Sequence, residues 1–321
     1  MKILMVGAGI IGDIYGWALS EGGNEVMHLV RPGRAERYKD GIRLDMLDNR
    51  KGYKRNYIGH YDLKVTETVR ESDGYELVIV PTKPYQLLDA LKQIVPLAGN
   101  ADFLLLTQNW KGTKEIDAIL SPSRYAFGDA KAGGAFIDGV LVSTLFASLD
   151  IGQVDGVESE PLKKMAALFS AMKIEPVLHK DILQYIWVQY AINAGLWPPV
   201  VRAGSLEALL NNFKVGELGL QAVKECLEVV KKRGVDLSGY PDAKMYLQTS
   251  TIGRWATGIL IRLMFRFNQS VMRSSLHALG APLEIKNSFY DLLESGKELG
   301  VPMPVMSSFE PDIQKFIATV N

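Results

Sequence analysis

Residues 7–12 read Gly-Ala-Gly-Ile-Ile-Gly, a G-x-G-x-x-G directly behind a short apolar run, Lys2–Val6. No other feature of this chain narrows its fold as far. Between a strand and a helix, the first glycine permits a tight turn and the second lets the backbone approach a pyrophosphate. The third lets the helix pack close to the sheet. The helix start then offers free N–H groups and a partial positive charge to phosphates. Glycine pairs are common, so the context carries the signal: a strand before, a helix opening and a second strand ending near Val30. Gly7, Gly9, Ile10, Ile11 and Gly12 are therefore candidate cofactor-binding residues.

Short apolar runs alternate with helical patterns through the first half. Lys2–Val6, Glu25–Val30, Glu76–Val80 and Asp102–Leu106 have the two-faced apolar character of strands in a parallel sheet. Ile14–Leu19 and Tyr85–Ile94 have helical spacing between them. That alternation predicts an α/β fold whose N-terminal part is a Rossmann, doubly wound parallel sheet. The glycine-rich stretch Tyr125–Val154 is expected at the far edge of that sheet. From about Pro161 the pattern turns helical: Glu160–Met172, Asp181–Leu196, Leu206–Leu210, Gly216–Arg233, Ile259–Leu279 and, closing the series, Ile285–Leu299. Trp197–Ser205 and Val235–Asp242, with their prolines and glycines, are expected as separators. The expected organisation is an NADP-binding Rossmann domain over 1–179 and an all-helical substrate and dimerisation domain over 180–321.

Composition excludes several classes. With 36 basic and 36 acidic side chains, no global field draws the chain to nucleic acid or an acidic membrane. Cys226, the single cysteine, has no internal disulfide partner, which suits a reducing compartment and argues against structural zinc. The four histidines, His28, His60, His179 and His277, show no metal-ligand spacing. The first residues run straight into a strand, without the pattern of a signal peptide. The longest apolar stretch, Trp255–Phe267, is too short to span a bilayer and is broken by Arg262 and Arg266. A buried or interface helix in a cytoplasmic protein is expected there.

The end of the second strand bears on the choice of cofactor. An NAD-preferring site usually carries Asp or Glu there for the ribose 2′-hydroxyl. This chain has Val30-Arg31-Pro32-Gly33-Arg34, with no acid. Arg31 and Arg34 can clamp a 2′-phosphate with charge-assisted bonds, so NADP(H) is the expected cofactor.

The layout resembles the ketopantoate reductase (2-dehydropantoate 2-reductase) family over nearly the whole chain. Val80-Pro81-Thr82-Lys83 stands where that family carries a strand-end lysine, and Gln108-Asn109 where it has Asn-Gly. The segment from Ile186 to Asn193 looks like the first long helix of its C-terminal domain. Leu283-Glu284-Ile285, followed by Leu299-Gly300-Val301-Pro302, is similar to its Glu-Ile-Asp segment and closing Gly-x-x-x-Pro. The resemblance implies that Lys83 and Asn109 bind cofactor, and that Asn193 and Glu284 face the reacting centre. It implies an NADP(H)-dependent oxidoreductase reducing a 2-keto acid-like carbonyl in an interdomain cleft, and a homodimer as a conceivable assembly.

The sequence departs from that family on the substrate side. Gln189 replaces the family lysine that supplies charge and proton. An amide donates a hydrogen bond but surrenders no proton near neutrality. Trp197 replaces a second asparagine, and Trp110-Lys111-Gly112 lengthens the loop after Asn109. Ketopantoate itself is thus not the expected substrate. Lys131, in a loop after a strand, is the first candidate to replace the lysine, and Tyr185, one turn before Gln189, the second. Arg254, Arg262, Arg266 and Arg273 recur at helical spacing as a candidate basic stripe. Two other readings stand beside the main one: an inactive NADP(H)-binding regulator, and an imine- or opine-type dehydrogenase in which an amine supplies the missing charge.

Overall fold

The computed structural model describes the chain except residues 54, 157, 248–250, 277–279 and 320–321, and except the side chains of 155 and 251–255. It divides into two compact units, Met1–Leu183 with Arg273–Leu276, and Gln184–Met272 with His277–Asn321.

The strands, in chain order, are β1 (Lys2–Val6), β2 (Glu25–Leu29), β3 (Ile42–Asp48), β4 (Arg55–Tyr61), β5 (Val65–Thr66), β6 (Leu77–Val80), β7 (Asp102–Leu106), β8 (Tyr125–Asp129), β9 (Ala132–Ile137), β10 (Val140–Leu145), β11 (Ser148–Gly152) and β12 (Glu175–Leu178). Eight of them form one sheet in the order β12-β11-β8-β7-β6-β1-β2-β5. Pairing is parallel from β5 through to β8, and β11 runs antiparallel to β8. The four strands read from sequence all lie here. β6 is buried at each of its four positions, as a strand covered on both faces must be.

Tyr125–Val154 is not simply the far edge. β8 is interior and β11 is next to last, while β9 and β10 leave to join β3 and β4 in a second sheet, β4-β3-β10-β9. β3 and β4 carry no clear strand pattern in the sequence. Their alternating burial has one solvated face, and in β4 the inward positions are Arg55, two tyrosines and a glycine, which dilutes the apolar signal.

The first helix, α1 (Ile10–Glu21), touches β1 and β2 of the large sheet and β9 and β10 of the small one. Every residue from Gly12 to Leu19 is buried. A helix without a polar face is stable only when covered all round, and the second sheet supplies the second cover. Arg50 links the two: it is 2% exposed, lies between the rings of Trp17 and Tyr53, and pairs with Asp48 (2.9 Å) and Glu21.

The other helices are α2 (Leu87–Ile94), α3 (Lys114–Asp117), α4 (Glu160–Ala171), α5 (Ile182–Ala203), α6 (Leu206–Asn211), α7 (Phe213–Lys232), α8 (Pro241–Tyr246), α9 (Thr251–Phe267), α10 (Gln269–Ser274), α11 (Pro282–Leu299), α12 (Pro304–Ser307) and α13 (Glu310–Ala318). Three expectations need correction. Helix α5 runs through Trp197, Pro198 and Pro199, where a separator was expected. The single helix expected over Ile259–Leu279 is two, because Asn268 Oδ1 accepts the N–H groups of Ser270 (3.0 Å) and Val271 (3.3 Å) and so caps a new start; 277–279 lie outside the described residues. And α11 is not the last: Gly300, left-handed at φ +68°, ends it, and α12 and α13 follow. No helix among the described residues is long and apolar enough to cross a membrane. Within its unit α9 is not a buried helix, since Leu260, Leu263, Met264 and Phe267 are exposed.

Candidate functional site

The glycine turn leaves β1 at the point where the sheet's connections diverge, with β2 and β5 on one side and β6, β7 and β8 on the other. Open α/β sheets bind ligands at such a switch point, beyond the carboxyl ends of the strands. Gly7 has φ +100°, a conformation that a side chain would strain. A Cβ on Gly12 would lie 3.2 Å from Pro81 Cγ and 3.3 Å from Met5 Cγ, so this glycine lets α1 approach β1 and β6. The carbonyls of the turn are all engaged. That of Gly7 accepts from His28 Nδ1 (2.9 Å), that of Ala8 from Tyr38 (3.4 Å) and that of Gly9 from the Asp13 N–H (2.7 Å). No side chain caps α1 at Gly9. A turn whose carbonyls are held and whose helix start is uncapped leaves the N–H groups of that helix start for an anion. These residues fit a dinucleotide's diphosphate.

Around this turn the structure gathers Arg31 and Arg34 after β2, Lys83 after β6 and Asn109 after β7, all on segments that follow neighbouring parallel strands. The exposed Arg31 and Arg34 stand in a turn closed by the Arg34 N–H on the Arg31 carbonyl (3.1 Å). An acid does reach that turn, from a strand the sequence reading did not see. Glu67, just past β5, accepts the Ala35 N–H at 2.8 Å. The backbone N–H groups of Ala35, Gly33 and Arg34 hold its carboxyl below the ordinary range. β5 is two residues long, too short to register as a strand pattern. Beside Lys83, the Thr82 hydroxyl is buried without a hydrogen-bond partner.

The side chain of Asn109 closes its own loop. Its amide donates to the Gly112 carbonyl (2.7 Å), and its oxygen accepts the N–H groups of Lys111 and Gly112. Trp110 is buried, so it serves packing. Lys131 is bracketed by Asp129 (3.0 Å) and Asp150 (3.3 Å), and Asp150 also takes His179. Against the effect of burial, His179 and Lys131 hold the Asp150 carboxyl low. The Arg273 guanidinium is drawn to Asp45 (2.7 Å) and Arg262 lies over the Phe213 ring, so these two members of the expected stripe have separate contacts. The side chain of Arg254 lies outside the described residues.

In the second unit, Gln189 and Asn193 stand one turn apart on α5, which puts them on one face of that helix. The Gln189 amide donates to Asp242 at 3.2 Å. Glu284 lies in the first turn of α11. The Tyr190 hydroxyl donates to Asp291 (2.7 Å), and burial, with Asp291 and Glu284 nearby, raises the phenol's pKa. Tyr185 is buried beside Tyr240, their ring centroids 6.5 Å apart.

The sheet order gives the first unit a Rossmann-type topology, and its switch-point glycine turn, with held carbonyls and an uncapped helix start, fits a dinucleotide. Residues 3–138 match the family model described as ketopantoate reductase PanE/ApbA. Over those residues the chain is similar to that family of oxidoreductases. A 2-dehydropantoate 2-reductase of Pyrococcus abyssi is 25% identical over 254 residues, 78% of this chain and 80% of that protein. An uncharacterised oxidoreductase of Bacillus subtilis, YkpB, is 23% identical over 330 residues and 99% of each chain. Among solved structures, a D-mandelate dehydrogenase in complex with NADH shares the fold over 100% of both chains, with TM-score 0.73 and 18% identity.

Proposed function

We propose that this chain is an NADP(H)-dependent oxidoreductase that interconverts a 2-keto acid-like carbonyl and its alcohol, and that ketopantoate itself is not its preferred substrate. The observation that carries the reading is the uncapped glycine turn flanked by Arg31 and Arg34. Gly7, Gly9, Ile10, Ile11 and Gly12 would hold the diphosphate, Arg31 and Arg34 the 2′-phosphate, and Lys83 and Asn109 the nicotinamide end. The bound nicotinamide supplies or accepts the hydride. Gln189, Asn193 and Glu284 would order the substrate, the two amides by donating to an oxygen and Glu284 by accepting from a hydroxyl. Lys131, paired with Asp129 and Asp150, is the proposed proton source. The related D-mandelate dehydrogenase supports a substrate with a ring beside its 2-hydroxy acid.

Titration decides the cofactor. Arg31→Ala should weaken NADPH about 10-fold or more and NADH by less than about threefold, because one charge-assisted clamp serves only the 2′-phosphate. Equal losses for the two cofactors would remove the NADP preference. Turnover with a panel of aliphatic and aromatic 2-keto acids then tests the reaction.

The hydrogen bond from Gln189 to Asp242 favours a second reading, an NADP(H)-binding regulator without catalysis. It expects affinity for the cofactor with no consumption on any carbonyl of the panel. A homodimer is also proposed, supported by the exposed apolar face of α9.

A further inference from the structure

The glycine turn is fastened from behind. Gly7 is tied to β2 through both of its backbone polar groups: its N–H donates to the Leu29 carbonyl at 2.8 Å, and its carbonyl accepts from His28 Nδ1 at 2.9 Å. A carbonyl only accepts, so Nδ1 carries the imidazole proton and Nε2 is left as the acceptor. The Tyr61 hydroxyl lies 3.1 Å from Nε2, and Ser20 Oγ lies 3.3 Å from the Tyr61 oxygen. Donation therefore runs one way, from Ser20 through Tyr61 and His28 to Gly7. The His28 side chain is fully buried.

The space for it is made by the second glycine of α1. A Cβ on Gly16 would stand 2.5 Å from His28 Nε2 and 3.0 Å from the Tyr61 oxygen. Asp13, one turn before Gly16 and two turns before Ser20, approaches the same imidazole, with Oδ1 3.8 Å from Nδ1.

We propose that His28, oriented by Tyr61 and Ser20, is a positioning residue for dinucleotide binding: it holds the Gly7 carbonyl inward, so that the N–H groups at the start of α1 stay turned to the diphosphate. The inference rests on the cofactor reading given above. Its physical basis is the freedom of glycine. With no Cβ, the peptide after Gly7 turns over at little steric cost, and the turned form aims a carbonyl oxygen at the phosphates. An internal hydrogen bond from a buried, pre-oriented donor selects against that form. His28 does this through Gly7, without touching the ligand.

The test uses the full chain and two ligands, NADPH and adenosine 2′-monophosphate. The second carries the 2′-phosphate but no diphosphate. His28→Leu should raise the Kd for NADPH about 10-fold, the loss of roughly one preorganising hydrogen bond, and leave that for adenosine 2′-monophosphate within twofold. His28→Asn keeps a donor near the position of Nδ1 and should stay within threefold of wild type for both. Tyr61→Phe removes the hydroxyl that orients the ring while keeping its bulk, and should weaken NADPH in the same direction by a smaller factor. Should His28→Leu fold poorly, Tyr61→Phe and His28→Asn still separate the outcomes. Equal weakening of the two ligands, or NADPH binding unchanged in both His28→Leu and Tyr61→Phe, overturns the inference and leaves the cofactor reading standing. A wild-type protein that binds neither ligand overturns both.

Discussion

Asp13 and His28 show how far a buried pair can depart from its solution chemistry. Burial pushes the Asp13 carboxyl up to about 8, and neither of its oxygens has a hydrogen-bond partner. Burial takes His28 down to about 4, opposed only by the Gly7 carbonyl. Between these values the folded pair holds one proton, on Asp13. The unfolded chain also holds one between about pH 4 and 6.5, on histidine, so the pair adds no pH dependence there. Above about 6.5 the unfolded histidine is neutral while the folded aspartic acid keeps its proton until about 8. The pair's contribution therefore falls by about 2 kcal/mol as pH rises through that window. Asp13→Asn should abolish this alkaline loss and show an acid loss below 6.5 instead, since His28 alone must then stay neutral. Urea melts from pH 5 to 9 on both proteins check the sign; parallel curves would refute it. Neither residue stood out in the sequence, because a lone aspartate in a helix and a lone histidine in a strand carry no spacing signal.

At the scale of elements, α5 shows tertiary packing overruling local propensity. Proline inside a helix removes a hydrogen bond and crowds the preceding turn, which is why Trp197–Ser205 reads as a break. In the fold, both prolines are buried and Pro199 packs where a Cβ on Gly219 of α7 would come within 2.8 Å of its Cγ. One turn earlier, a Cβ on Gly195 would meet Val223 backbone at 2.6 Å. Small residues thus bring α5 and α7 close enough for packing to offset the lost bonds. Gly195→Ala should cost about 1–3 kcal/mol, because the atoms it meets are main chain and give little. Gly216→Ala on α7, with nothing nearer than Arg262 at 3.8 Å, should instead gain about 0.5–1 kcal/mol from helix propensity. Chemical denaturation measures both, and like signs would contradict the packing argument.

For the molecule as a whole, two units carry the two halves of the proposed chemistry, the cofactor residues in one and Gln189, Asn193 and Glu284 in the other. The second unit also presents Leu260, Leu263, Met264 and Phe267 along one face of α9, at i, i+3, i+4 and i+7. Phe267 is 74% exposed, which is unusual for a side chain of that size in a contiguous apolar face. The proposed homodimer places this face at its contact. Leu263→Ser with Phe267→Ser should then halve the mass seen by sedimentation equilibrium while the far-UV circular dichroism stays the same. A wild-type monomer at micromolar concentration would dismiss the dimer.

The sequence by itself determined the glycine turn, the four central strands, the arginines after β2 and the helical character of the second half. These are written in local signals: a glycine pattern, two-faced apolar runs and 3.6-residue spacing. Only the tertiary structure decided that β9 and β10 pair with β3 and β4, that α5 continues through two prolines, and that Glu67 reaches the arginine turn. It alone brought His28, Tyr61 and Ser20 into one chain behind Gly7. Such contacts join residues tens of positions apart, and no window of neighbouring side chains encodes which of them will meet.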